Sequence, residues 1–401
     1  MTNTRKLAVI VFGGLIAACL YHCALMGALL HRDYPQNTFL FNNDWLFSDF
    51  YETVKLASTG NPYSGAAVLN SVYPPALNLA ALLLARQPFL RPSDLYLLLA
   101  ALVIGAAGWL VFREKDPAKT ALNVLGGAFA SYPVIYLLHR GNLELIAFPC
   151  LFAGIYFYDK KKYAAAALGI GLAAACKVYP AIFFFLFVTD RKMRWAALSA
   201  AICAAVTVAG FMYFHNGLAQ NISAMLATMR AYNAEYVGKG YGLVFGHSLY
   251  GALQAVRCWI LGIEPVYSSP RLIKFYPYIA AALGLFTLRR VWLEKELWKK
   301  VALLTAAMLA LPYVSADYRL ISLFAPLYLY FKAGYNGRYA CAYLWIFGLL
   351  LVPKNFLYFC EPEVSLSAAL NPLLLGALAA LIVREQIAGR KATVPDGAPP
   401  S

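Results

Sequence analysis

Charged side chains are scarce in this chain of 401 residues: Asp, Glu, Lys and Arg together make up 13% of it, where soluble domains carry about 25%. That shortage excludes an ordinary water-soluble domain. Acidic residues number 19 against 34 basic ones, and there are only 5 histidines. No glycine-rich loop of the P-loop or dinucleotide type occurs, so ATP or a soluble sugar nucleotide has no visible cradle. No His/Cys/carboxylate grouping has the spacing of a zinc site, and no metal or organic cofactor is expected. Of the eight cysteines, Cys19, Cys23, Cys150, Cys176, Cys203 and Cys341 lie in or beside apolar runs and read as small packing residues. Cys258 and Cys360 fall in outer loops, where a disulfide between them is an open alternative. No internal repeat is visible, which weighs against a transporter built from duplicated halves.

Hydrophobic residues, by contrast, make up 61% of the chain. Apolar runs of roughly 18 residues or more read as bilayer-spanning helices, because each residue rises about 1.5 Å through a core about 30 Å thick. The run 7–30 is the first. It is too long for a removable signal peptide and lacks a small-residue cleavage site, so it reads as an anchor. Further segments are expected at 93–112, 119–138, 143–158, 163–176, 180–189, 195–214, 274–290, 298–314, 318–333, 338–353 and 366–383. The fold class is therefore an all-α polytopic membrane protein of about twelve transmembrane helices in a single domain, 1–384.

The short apolar stretch 75–84, followed by Arg86 and Arg91, is ambiguous. Treated as a helix lying on the outer surface, it leaves every basic loop, including Asp159-Lys160-Lys161-Lys162, on the inner side. Most Lys and Arg then fall in short inner loops, which places both termini in the cytoplasm. The net charge of +15 is explained by that bias; the basic residues form no stripe suited to nucleic acid.

Two outer segments are long enough to build a site, 31–91 and 215–273. The second contains a helix-like stretch, 220–236, and a glycine-rich turn, 237–242; its Asn221-Ile222-Ser223 matches a glycosylation sequon, a pattern common by chance. The tail, 385–401, reads as disordered and cytoplasmic. Pro180 after Lys177-Val178-Tyr179 predicts a broken helix or hairpin tip, which at membrane depth must be buried in protein or line a wet cavity.

Carboxylates at a lipid boundary are costly unless they are used. Asp44, Asp49 and Glu52 cluster just after the first apolar run. If residues 46–58 form an amphipathic surface helix, Asp49 and Glu52 share a face while Leu46, Phe50 and Val54 meet lipid. Asp49 then reads either as a general base for an acceptor hydroxyl or as part of a solvated helix start capped by Asp44 or Ser48. Arg140, Lys177 and Arg319 each stand at the outer end of an expected span. Such cations suit a phosphate, or they snorkel and pair with Glu144 and Asp317. His247, alone in its loop, could donate to a phosphate or an acceptor hydroxyl; His31 and His215 read as boundary residues.

Ser48-Asp49-Phe50-Tyr51, Gly60-Asn61-Pro62-Tyr63 and Tyr73-Pro74-Pro75 together resemble the first outer loop of glycosyltransferase family 87, within the GT-C superfamily of polytopic glycosyltransferases. Arg140-Gly141-Asn142-Leu143-Glu144 and Lys177-Val178-Tyr179-Pro180 are similar to motifs of the first mannosyltransferase of the GPI-anchor pathway, and His247-Ser248-Leu249 is similar to a family 87 segment. At 315–319, where many members carry a histidine motif, this chain has Asp317-Tyr318-Arg319. The resemblance implies a GT-C fold with extracytoplasmic loop helices. It also implies an inverting transfer of a sugar, mannose first among candidates, from a polyprenyl phosphate to a lipid or glycan acceptor. Asp49 would be the catalytic residue, and Arg140, Lys177, Arg319 and His247 would hold the donor phosphate. Asp44, Glu52, Tyr63, Tyr73, Asn142, Glu144, Tyr179, Asp317 and Tyr318 would support them. The implied partners are membrane lipids, donor and acceptor, with no nucleic acid and no obligatory metal; the oligomeric state is left open, a monomer among the options. The implied location is a bacterial inner membrane, with the site facing outward. The alternative is a glycolipid flippase or transporter that forms no glycosidic bond.

Overall fold

A chain this apolar can cross lipid only as helices, because each backbone polar group must find its partner within its own segment. The computed structural model describes residues 1–64, 70–262, 268–360 and 364–391, and it is predominantly helical. The helices are α1 (Asn3–Leu29), α2 (Ser48–Ser58), α3 (Pro75–Arg86), α4 (Pro92–Val111), α5 (Pro117–Phe129), α6 (Tyr132–Arg140), α7 (Glu144–Asp159), α8 (Tyr163–Cys176) and α9 (Tyr179–Thr189). They continue as α10 (Met193–Tyr213), α11 (Gly217–Asn233), α12 (Leu249–Leu261), α13 (Pro270–Leu293), α14 (Leu297–Ala310), α15 (Phe324–Lys332), α16 (Ala340–Leu351) and α17 (Ser367–Lys391). Strands β1 (Tyr358–Cys360) and β2 (Val364–Ser365) form a small antiparallel pair.

Every expected apolar segment coincides with a helix, though most of these helices are too short to cross a membrane by themselves. Four are long and apolar enough to cross a membrane alone: α1, α4, α10 and α17 to Ala388. The α5–α6 pair, bent by 61°, makes a fifth if it is one broken span. Pro133 at the start of α6 explains that break, since it cannot donate back into α5. The remaining apolar helices are shorter and pack mostly against protein. α14 is buried along nearly its whole length, beside an aromatic group in which Trp298 lies 5.1 Å from the rings of both Tyr330 and Tyr343.

Two local expectations change. The helix at 46–58 exists as α2, but Phe50 is fully buried and Val54 half-buried against the core, so both face protein; Leu46 alone is exposed. The reason is that α2 lies on α3, with Phe50 packed on Tyr96 of α4, so its apolar face is covered. α17 runs to Lys391, seven residues into the stretch read as a disordered tail, because Gln386 donates to the Arg290 carbonyl at 3.0 Å and Glu385 pairs with Lys299 at 2.9 Å. The rest of that tail lies outside the described residues. The sequon Asn221 is fully buried and donates to the Phe211 carbonyl at 3.0 Å, which leaves no room for a glycan. Cys258 is a buried free thiol, and the Cys360 side chain lies outside the described residues. The stretch 75–84 is the short helix expected, and the chain does break at Lys177, which is extended between α8 and α9.

Candidate active site

Asp49 sits in the first turn of α2, where the unpaired N–H groups of a helix start favour a carboxylate. The end of α6 is brought onto it by Gly141. This residue adopts φ +61°, and its N–H reaches back to the Leu137 and Leu138 carbonyls, a helix termination that favours glycine. A Cβ there would lie 2.8 Å from the Phe50 Cβ and 2.9 Å from the Phe47 ring. Glycine thus serves both the turn and the close approach of α6 to α2. Arg140 and Asn142 are left on either side of the Asp49 carboxylate.

Arg140 Nη2 donates to Asp49 Oδ1 at 2.5 Å, and Asn142 Nδ2 donates to Asp49 Oδ2 at 2.7 Å. The Arg140 guanidinium also lies over the Phe41 ring, 4.6 Å from its centroid. Asn142, fully buried, has its amide orientation fixed from the other side, because Oδ1 accepts from Lys177 Nζ at 3.2 Å and from the Glu144 N–H at 2.9 Å. Lys177 Nζ lies 3.2 Å from Glu144 Oε2, and Tyr179 donates its hydroxyl to the same oxygen. Arg319 stacks its guanidinium over Tyr179 at 4.6 Å. Lys177 faces the Tyr73 and Tyr318 rings at 5.0 and 5.6 Å. One continuous chain of polar contacts therefore runs from Asp49 through Asn142, Lys177 and Glu144 to Tyr179 and Arg319. It joins residues far apart in sequence.

The charges along this chain do not balance. Arg140 pairs with Asp49 and Lys177 with Glu144, but Arg319 has no ion pair among the described residues. One of its amino groups donates to the Val314 carbonyl at 3.2 Å, and its Nε is buried without a partner. A desolvated cation lacking an anion is costly; an anionic ligand beside Arg319 would relieve it.

His247 is placed differently from expectation. It is fully buried, with Nδ1 3.0 Å from Asp317 Oδ1 and Nε2 2.9 Å from Ser315 Oγ, so neither ring nitrogen is available to a donor phosphate. Its segment is tied to 315–317 by the backbone as well: the His247 N–H reaches the Ser315 carbonyl at 2.8 Å, and the Asp317 N–H reaches the Phe245 carbonyl at 2.9 Å. Burial pushes the imidazole pKa below its ordinary value, against the pull of Asp317. Asn371 of α17 adds a 3.2 Å bond to Asp317 Oδ1. The His247–Asp317 pair acts as a clasp that presents Tyr318 and Arg319, and this is a supporting part.

Of the other expected residues, Tyr73 lies in the site, with its hydroxyl 3.4 Å from Asn142 Nδ2, and burial raises its phenol well above the ordinary range. Tyr63 is a buried pillar: its hydroxyl donates to the Tyr73 carbonyl at 2.9 Å and accepts from Asn78. Asp44 and Glu52 are exposed and make no side-chain hydrogen bond or ion pair among the described residues. They stand at the rim.

Sequence reasoning missed Tyr232 at the end of α11 and Tyr236 in the π-helical turn that follows it. Their rings stack 4.1 Å apart, and Tyr232 lies within electrostatic reach of Arg319 and Asp49. Burial raises its phenol to about 12. Their i, i+4 spacing on the helix-like stretch was the available signal. Lys354 was also missed. It is buried, donates to the Val352 carbonyl at 2.8 Å, and is pushed by burial down to about 8, with Asp317 opposing the shift. Among the described residues, no three His, Cys, Asp or Glu side chains gather as a metal-ligand group.

Against known proteins, residues 72–315 match glycosyltransferase family 87. The matched stretch contains Tyr73, Arg140, Asn142, Glu144, Lys177, Tyr179 and His247, whereas Asp49, Asp317, Tyr318 and Arg319 lie outside it. No curated protein matches the chain.

Proposed function

Because the chain belongs to glycosyltransferase family 87, we propose that this glycosyltransferase takes its sugar, mannose first among candidates, from a polyprenyl phosphate and passes it to a lipid or glycan hydroxyl with inversion. The reaction is a single displacement. The acceptor oxygen attacks the anomeric carbon as the bond from that carbon to the phosphate oxygen breaks. The acceptor proton goes to the Asp49 carboxylate, and the departing phosphate keeps the bonding electrons. Asp49, held by Arg140 and Asn142, retains 19% of its side-chain exposure. An edge of the carboxylate is thus open to an acceptor.

The observation that carries this reading is the unpaired Arg319 beside Tyr179, joined to Asp49 through Glu144, Lys177 and Asn142. A phosphate there would complete the charge balance. Preorganised cations aimed at a departing anion are among the larger contributions to catalysis. Arg319 is the principal phosphate ligand, with Lys177 and Arg140 contributing charge from within their own pairs. Tyr73 and Tyr318 pack their rings against Lys177. Apolar helices make this a membrane protein. In the proposed arrangement it lies in a bacterial inner membrane with the site outward and both termini cytoplasmic.

Family membership favours transfer over the flippase alternative, and one experiment separates them. Purified protein is incubated with radiolabelled polyprenyl-phosphate sugars and membrane lipid extracts, and the products are analysed by mass spectrometry. A new glycosidic product from the polyprenyl-phosphate mannose arm supports the proposal. Label that crosses a vesicle without forming a product would replace it with the carrier reading.

A further inference from the structure

A groove of about 750 Å³ opens between α13, α14 and α17, and at one end it is lined by Leu249 and Pro372, two and one positions from His247 and Asn371. Its walls are apolar, from Leu249 and Leu311 at one end past Leu303 and Leu375. Among the described residues, the only charged ones lining it, Arg290 and Arg384, are at the other end. Along α17 the groove follows residues 372–388, a rise of about 24 Å, or most of a hydrocarbon core about 30 Å thick. The charged end is remote from the candidate active site: α14 begins beside Arg290 and leads away from it to 311–319.

Both arginines lack a carboxylate partner among the described residues. Arg290 Nε is buried without a hydrogen bond, its Nη1 donates to Gln386 Oε1 at 3.5 Å, and its guanidinium lies over the Phe286 ring at 4.9 Å. Arg384 is exposed and lies over the Tyr339 ring at 5.6 Å. The neighbouring carboxylates are engaged elsewhere. Glu385 pairs with Lys299 and accepts from Tyr335 and Tyr343, while Glu294 accepts from the backbone N–H groups of Lys295 and Glu296 with one oxygen and from Gln386 at 3.4 Å with the other. The groove is therefore a long apolar slot with two arginines at one mouth, neither of them in an ion pair among the described residues. We propose that it binds an anionic glycerophospholipid, with the phosphate on Arg290 and Arg384 and an acyl chain along α17. A donor lipid whose phosphate sat at Arg319 would leave these two arginines without a role, so charge complementarity favours the phospholipid.

The test is native mass spectrometry of the full-length protein exchanged into vesicles of phosphatidylglycerol and phosphatidylethanolamine with added polyprenyl phosphate. Each arginine removed, in Arg384→Gln and in Arg290→Gln/Arg384→Gln, should lower retained phosphatidylglycerol by about fivefold and leave phosphatidylethanolamine unchanged. Arg384 is exposed, so the single variant keeps the test open if the double variant folds poorly. An added Cβ at Gly376, which lines the groove, meets nothing within 4 Å, so Gly376→Trp should fill the slot and displace phosphatidylglycerol as well. Unchanged phosphatidylglycerol in the arginine variants would overturn the proposal. So would loss of polyprenyl phosphate, in place of phospholipid, from Gly376→Trp. Neither result depends on sugar transfer, so failure here is distinguishable from failure of the proposed reaction.

Discussion

At the scale of single residues, Arg319 separates a structural from a catalytic account most sharply. A cation with a buried, unpartnered Nε should cost stability, so Arg319→Met is expected to raise the melting temperature in detergent or leave it unchanged. The same change should lower donor-dependent transfer by about 10²–10³-fold. A large loss of stability with transfer preserved would make Arg319 a packing residue. Asp49, Arg140, Lys177 and Arg319 were all legible in the sequence, because ionised side chains at the ends of apolar runs are conspicuous. Their pairing was not. The sequence offers Glu144 as a partner for Lys177, but nothing in it says that Asn142 will face Asp49 with one amide atom and Lys177 with the other. That depends on how α6 meets α2.

At the scale of elements, the joint between α6 and α2 depends on Gly141. Gly141→Ala must place a side chain in left-handed backbone, costing about 1–2 kcal/mol, and against Phe50 besides. Thermal unfolding should show a loss at least that large, and transfer should fall with it because Arg140 and Asn142 move off Asp49. An unchanged melting temperature would mean that the two helices are not locked as described. The clasp between 245–247 and 315–317 makes a pH prediction. The native state holds His247 neutral because burial depresses its pKa, while the unfolded chain titrates at about 6.5. The stability contribution is therefore complete above about pH 6.5 and declines as pH falls below it. His247→Gln should be less stable at neutral pH, with a shallower loss between about pH 7 and about pH 5; parallel curves would contradict this. The lone histidine read from sequence as a phosphate donor is instead internal, since a loop tied at two backbone positions to 315–317 carries it inward. Helices and breaks were readable from periodicity and proline. The inward face of α2 was not, because an apolar stripe looks the same whether it meets lipid or Tyr96.

At the scale of the whole molecule, apolar composition identified a helical membrane protein, and four of its helices, or five spans with the bent pair, are long and apolar enough to cross alone. Short apolar helices such as α8 and α9 meet each other and α7 and α14, and hydropathy alone cannot separate burial in protein from burial in lipid. The orientation remains testable from charge. With the exposed Cys19, Cys23 and Cys341 replaced by serine, Glu52→Cys should react with an impermeant maleimide added outside intact cells, and Lys160→Cys should react only after permeabilisation. The reverse pattern would place the candidate site on the cytoplasmic side and rule out an outward-facing transfer.

The most direct test of the account is single-turnover transfer by Asp49→Asn in lipid nanodiscs, with donor binding measured in the same sample. The account predicts donor bound with near-native affinity and sugar transfer reduced by about 10²–10⁴-fold. Transfer at the native rate with the carboxamide in place would contradict it.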